Sequence, residues 1–211
     1  MGNPVFAAMY DRLMAGTERA GLADRRAELV AAARGATLEL GAGTGLNLRH
    51  YPAAVTDLVL AEPDRHMARR LRARLGEAGR PAEVVEAPAE RLPFEDGRFD
   101  TVVVTLVLCT VQDPAQALEE IARVLKPGGR LLFLEHVRAP DGARLSRWQD
   151  RLERPWGWFG GGCHPNRDTV AALEASPLSV ESTDRGTMPK APPLVRPLVA
   201  GVAVATRPTR P

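Results

Sequence analysis

Thr37-Leu38-Glu39-Leu40-Gly41-Ala42-Gly43-Thr44-Gly45-Leu46-Asn47 decides the fold. A short apolar strand runs into three glycines at alternate positions. Glycine lets the backbone turn tightly and lets a ligand approach without a Cβ in the way. The segment therefore reads as a ligand-binding turn at the head of a sheet. Two nucleotide loops fail on their residues. A phosphate-cradling loop needs Gly-Lys-Ser/Thr, which is absent, and the dinucleotide fingerprint would put glycine where Leu46 stands. Charge argues the same way: Glu39 lies two residues before Gly41, and no Lys or Arg occurs between Arg34 and Arg49. A pyrophosphate there would face a carboxylate without a counter-cation, which is costly in a partly desolvated site. A ligand carrying an ammonium or sulfonium would be favoured.

Outward from the loop, apolar runs recur at 37–40, 57–61, 83–85, 99–105, 130–137, 178–181 and 197–205. Helical segments separate the first five. The clearest is 115–125, where Leu118, Ile121, Ala122 and Leu125 follow helical spacing behind Asp113-Pro114, and Lys126-Pro127-Gly128-Gly129 stops it. Strands alternating with helices predict an α/β fold, a seven-stranded, mostly parallel sheet with helices on both faces. Residues 3–34 read as two helices, 143–152 as another with Leu145, Trp148 and Leu152 on one stripe, and 166–175 as the last. No linker divides the chain, so 1–211 is expected to be a single domain. Residues 1–34 would form a helical lid, 35–137 the cofactor-binding core, and 138–211 an acceptor lid with the last strands.

Composition removes other classes. The 211 residues carry 28 basic and 26 acidic side chains, a net charge of +2, which argues against a nucleic-acid partner. The arginines at 65, 69, 70, 72 and 74 read as the exposed face of a helix. Cys109 and Cys163 stand far apart with no CxxC pair, and His50, His66, His136 and His164 are scattered, so no metal is expected. The N-terminus lacks a signal-peptide pattern, and the longest apolar stretch, 101–111, is too short for a bilayer span of about 20 residues. A cytoplasmic protein without a transmembrane anchor is the expectation.

The glycine segment, E-x-G-x-G-x-G, resembles the S-adenosyl-L-methionine motif of the class I methyltransferases, whose domain is Rossmann-like. Several marks follow in order: Glu62 at the end of the second strand, the 87–94 loop, Phe99-Asp100, and the Leu-Lys-Pro-Gly-Gly turn. The resemblance implies that Glu39, Gly41, Ala42, Gly43, Gly45 and Asn47 surround the methionine moiety. It also places Glu62 on the ribose with Pro63 and Met67 beside it, Ala89 and Glu90 by the adenine, and Thr105 and Leu106 against the cofactor. Pro88 stands where such loops usually carry a polar residue, so the adenine amino group needs another contact, for which Glu90 is the candidate. Tyr10 is expected to close over the cofactor, and S-adenosyl-L-homocysteine would be the product.

The small-molecule acceptor should sit at the same sheet edge, beneath the irregular ends of the chain. Trp148, Trp156, Trp158 and Phe159 cluster after the fifth strand, and Phe6 and Met9 near the N-terminus. They read as a mobile apolar lid over the acceptor, with core packing as the alternative for all of them, Trp148 above all. The runs Leu106 to Val111, Glu135-His136-Val137, and Trp156 through Arg167 resemble the alkyl-thiol methyltransferases of the methyltransferase-like seven group. More loosely they resemble quinone-ring C-methyltransferases and phosphatidylethanolamine N-methyltransferases. The resemblance implies thiol S-methylation, with O-, N- or C-methylation of a secondary metabolite, quinone precursor or phospholipid headgroup as the alternative. His136 is the candidate to orient or deprotonate the acceptor, or else to hold the lid by a structural hydrogen bond. His164 is expected to cap the following helix, and Cys163 to be structural.

Overall fold

The computed structural model describes residues 4–206; Asn3, the expected start of the first helix, lies outside them. Seven strands form one sheet: β1 (Gly35–Leu40), β2 (Val55–Ala61), β3 (Glu83–Val85), β4 (Phe99–Thr105), β5 (Leu125–His136), β6 (Leu178–Thr187) and β7 (Pro197–Ala205). The order is β3-β2-β1-β4-β5-β7-β6. The first five strands are parallel, while β7 inserts antiparallel between β5 and β6. The order reverses between β1 and β4, and the C-terminal ends of parallel strands at such a point leave a crevice for ligands.

Strand side chains alternate across the sheet. Leu38, Leu40, Val59, Val102, Val104 and Phe133 pack on one face with α4 (Pro114–Val124) and α6 (Thr169–Glu174). Leu58, Leu60, Val103, Leu132 and Leu134 pack on the other with α2 (Ala23–Val30) and α3 (Arg65–Ala78). The remaining helices are α1 (Pro4–Thr17), joined to α2 by a wide turn in which Gly21 has φ 126°, and α5 (Arg144–Phe159). No helix among the described residues is long and apolar enough to cross a membrane.

Three expected boundaries move. The Lys-Pro-Gly-Gly segment lies inside β5 rather than before it: Phe99 pairs with Leu125 and Thr101 with Arg130, so residues 126–129 bulge out of the ladder. β6 runs to Thr187 instead of 181, because it is a solvated edge strand whose polar second half carries no apolar signal. The segment expected to be a mobile lid is the last turn of α5. Pro155 is tolerated there because it and Arg151, whose carbonyl it frees, both lie on the exposed face. The buried face of α5 carries Ser146 and Gln149, not the Leu145–Trp148–Leu152 stripe. Gln149 wins that place because its amide takes the Ala139 N–H and donates to the Val137 and Leu194 carbonyls.

Candidate active site

At the head of β1, Gly41 and Gly43 have φ 58° and Gly45 φ 85°, conformations that disfavour side chains. A Cβ on Gly41 would lie 2.6 Å from Val107, and one on Gly45 2.8 Å from Leu48 and Leu71. Gly43 is different: the nearest atom to its absent Cβ is a carbonyl 3.9 Å away, so its outer side is open to a ligand.

Beneath the loop lies a buried polar network. Glu39, between Leu38 and Leu40, points to the α2 face of the sheet. Its Oε1 accepts from Asn47 Nδ2 at 2.9 Å and its Oε2 from the Tyr51 hydroxyl at 2.8 Å. Burial pushes its carboxyl up to about 7, against the pull of those two bonds. Asn47 also donates to Thr105 Oγ1 at 3.0 Å. The Arg26 guanidinium reaches the same two residues, 2.7 Å from Thr105 Oγ1 and 3.2 Å from Asn47 Oδ1, while pairing with Glu18 at 2.9 Å. Asn47, Glu39 and Thr105 are thus bonded among themselves and tie β1, β4 and α2 together.

The reading of a loop without cations holds along the chain and fails in space. Arg26 comes from α2, and Arg74 of α3 donates to the Thr44 carbonyl at 2.8 Å and pairs with Asp11 at 2.6 Å. Asp11 accepts from the Thr44 hydroxyl at 2.6 Å, so α1 is latched to the tip of the glycine loop. Both guanidiniums have carboxylate partners, so neither offers the loop an unbalanced charge.

Glu62 lies at the end of β2 and is buried. Its Oε2 accepts from Gly43 N at 2.7 Å and its Oε1 from Asp64 N at 2.9 Å, and its own N–H donates to Val85. Burial raises its carboxyl, opposed by those backbone donors. A carboxylate oxygen has two lone-pair directions, so each can still accept a hydroxyl. Of its expected companions, Met67 is buried in α3 and Pro63 is exposed. Ala89 is buried in the 87–94 loop, which Arg123 fastens through the Leu92 and Phe94 carbonyls. Glu90 Oε1 accepts from Gln112 N at 2.7 Å, so part of the carboxylate expected at the adenine is spent on that loop. Burial raises the Tyr10 phenol above its usual range, with the charges of Arg26, Glu18, Cys109 and Glu62 as smaller influences. An open glycine face, a carboxylate with free lone pairs and the pairing of Arg26 and Arg74 with carboxylates fit S-adenosylmethionine.

β4 ends in a strained turn. Leu106 has φ 60°, a conformation that costs a non-glycine residue about 1–3 kcal/mol and concentrates at functional sites. Glu135 Oε1 holds the turn by accepting from Val107 N at 2.8 Å and Leu108 N at 3.1 Å. Cys109 follows. Its sulfur, His136 Nε2 and Cys163 Sγ lie within 4.8 Å of one another, all buried. His136 Nε2 is 2.9 Å from Cys163 Sγ, and Trp156 Nε1 donates to the same sulfur at 3.2 Å. The Cys109 thiol, His136 and Trp156 together hold the Cys163 thiol well below its usual range, while Cys109 is raised. The cysteines and histidine that look scattered along the chain are therefore one cluster.

The expected acceptor residues divide. The Phe6 ring packs under Gly161, so α1 meets the segment after α5, and Trp156 touches the cluster. Trp158 and Phe159 do not line a closed pocket: they are 81% and 74% exposed and pack edge-to-face on each other. Met9 and Trp148 are about half exposed. His164 does not cap the helix after it. It pairs with Glu153 at 2.8 Å, and Asp168 caps α6. A concavity of about 630 Å3 between α3 and β3 includes none of the expected site residues.

Residues 38–133 match the methyltransferase domain family. The human thiol S-methyltransferase TMT1B is 39% identical over 176 residues, covering 80% of this chain and 70% of that one. Human TMT1A is 32% identical over 203 residues, covering 94% and 82%. A crystal structure of a putative methyltransferase from Bacillus halodurans superposes with a TM-score of 0.71 at 18% identity, covering 87% of this chain and all of that one. Glycine loop, the Glu62 carboxylate beside it, sheet order and these relatives agree: the chain belongs to the class I S-adenosylmethionine-dependent methyltransferases, close to the thiol S-methyltransferases.

Proposed function

We propose that this methyltransferase methylates the sulfur of a small apolar thiol. The observation that carries the reading is the position of the Cys109–His136–Cys163 cluster. It sits at the C-terminal ends of β4 and β5, on the sheet edge that also presents Gly43 and Glu62. Relatives named as thiol S-methyltransferases support the same acceptor.

The residues divide the work. Glu62 accepts the ribose hydroxyls, with Pro63 and Met67 beside it, and the backbone of residues 41–45 lies along the methionine portion. Ala89 and Glu90 flank the adenine. Glu39, Asn47 and Thr105 hold the loop to Arg26 rather than being left free for the ligand. Leu106, Tyr10 and Phe6 exclude water where the two substrates meet. S-adenosylmethionine supplies a methyl group on a sulfonium, so the protein has to align the acceptor and ionise it. A free thiol has a pKa of about 8.5, and thiolate is the attacking form. His136 acts within the cluster rather than alone, since its Nε2 already faces Cys163.

Labelled cofactor offered with an alkyl thiol, a phenol or an ethanolamine lipid tests the reading. Label is expected in the thioether. Label in the phenol ether or the lipid amine, with none in any thiol, would replace this acceptor with the O- or N-methyl alternative.

A further inference from the structure

We propose that Cys109, His136 and Cys163 bind a zinc ion whose fourth position takes the acceptor thiol as thiolate. The inference rests on the thiol reading above.

The cluster has the composition and closeness of a metal site. Two sulfurs and one imidazole nitrogen converge within 4.8 Å of one another, on residues only 2%, 3% and 9% exposed. Thiolate and imidazole are the donors that zinc favours, whereas calcium and magnesium take oxygen. Zinc sites with three protein ligands keep the remaining tetrahedral position open for substrate.

The ligands come from three parts of the fold. Cys109 follows the strained Leu106 turn, which Glu135 clamps. His136 ends β5, opposite Leu198 of β7. Cys163 follows Gly161 and Gly162, at φ 65° and 92°. The His164 N–H donates to the Cys109 carbonyl at 2.8 Å, pinning the two cysteine segments together. Trp156 Nε1 donates to Cys163 Sγ at 3.2 Å, a bond that orients a ligand and moderates its charge.

Charge balance favours the ion. A buried thiolate without compensation is costly, whereas a dication neutralises the two cysteine thiolates, and the acceptor thiolate then leaves one negative charge to face the sulfonium. A dication also does what the acceptor needs, because a coordinating thiol is deprotonated outright. The incoming thiol loses its proton to solvent and binds through sulfur. A lone pair of that sulfur forms the new S–CH3 bond as the methyl–sulfonium bond breaks, giving a thioether and neutral S-adenosylhomocysteine. Zinc keeps its oxidation state, and the uncharged thioether, a weaker ligand, departs.

The test uses the full chain, stripped of metal and kept reduced with a phosphine rather than a thiol. Zinc should bind at one ion per chain. Cobalt(II), as a spectroscopic stand-in, should give tetrahedral visible bands and near-ultraviolet thiolate charge-transfer bands, both shifting when an alkyl thiol is added. Cys109→Ser and Cys163→Ser should each weaken zinc at least tenfold. Trp156→Phe, which keeps all three ligands, should weaken it severalfold while S-adenosylhomocysteine binding stays intact. Failure of the wild-type chain to bind zinc or cobalt, or cobalt bands indifferent to added thiol, would overturn the site. So would undiminished thiol methylation by protein shown to be metal-free, and that result would leave the acceptor assignment standing. Methylation of a phenol or amine in place of every thiol would instead remove the function on which the site depends.

Discussion

On the cofactor side of the site, Glu39, the three glycines, Asn47, Tyr51 and Glu62 all belong to one β-loop-β passage of the chain. On the acceptor side, Cys109, His136 and Cys163 are each separated by 27 residues and meet only because β4, β5 and the end of α5 converge. The first half is specified by local backbone geometry: glycines at positive φ, a strand end and a carboxylate at its tip. The second is specified by topology. A substitution on the cofactor side should therefore act through one loop, and one on the acceptor side through the meeting of separate elements. Arg26 is the exception that joins them, reaching from α2 to both Asn47 and Thr105.

Arg26 is thus where the largest effect is expected. Arg26→Met leaves Glu18, itself buried, without its counter-charge, and deprives Asn47 and Thr105 of a donor. Breaking a buried pair by removing one member costs about 3–5 kcal/mol. Denaturant unfolding should show that loss with an unchanged m-value. A loss below about 1 kcal/mol, the range of an exposed pair, would mean that the network does not brace the two halves.

Glu39 gives the next effect, visible in pH. Its carboxyl holds a proton up to about pH 7 in the folded protein but only to about 4.5 unfolded. The folded state therefore binds more protons between those values. The stability Glu39 contributes is fully present below pH 4.5 and is lost as pH rises to about 7. At about 1.4 kcal/mol per pKa unit, wild type should lose on the order of 3 kcal/mol relative to Glu39→Gln across that window, then run parallel above it. A flat difference curve would show that Glu39 is ionised throughout.

Glu62→Ala sharpens the contrast through ligand binding. Loss of charge-assisted bonds worth about 1.5–3 kcal/mol each should weaken S-adenosylhomocysteine roughly 100-fold by calorimetry. Circular dichroism should remain unchanged. Affinity within threefold of wild type would sink the ribose assignment.

The same contrast explains what could be read from the chain before the structure. The glycine loop, Glu62, the seven strands and the resemblance itself are local patterns, and each is present as expected. Arg26, Asp11, Arg74 and Tyr51 were missed because their partners lie on other elements; Asp11, for instance, is 63 residues from Arg74. The closeness of Cys109, His136 and Cys163 is hidden for the same reason, since spacings of 27 residues match no short zinc motif. Helix α5 runs on to Phe159 rather than ending at 152, because Pro155 falls on its exposed face, where a helix tolerates it. The length of β6 was hidden by its polar, solvated side chains.

Trp158 tests whether the end of α5 takes part in acceptor binding. Sequence density placed it with Trp156 over the acceptor, but Trp156 reaches Cys163 while Trp158 is 81% exposed against Phe159. Replacement of a surface residue away from caps, charges and cavities changes stability by less than about 0.5 kcal/mol, and Trp158→Ala should stay within that limit. Its KM for an alkyl thiol should likewise remain close to wild type, because an exposed ring buries no area against a ligand in this arrangement. A KM raised tenfold with unchanged stability would show that the end of α5 folds inward over bound thiol. The acceptor side would then be assembled in a second step, by binding, on top of the topology that brings Cys109, His136 and Cys163 together.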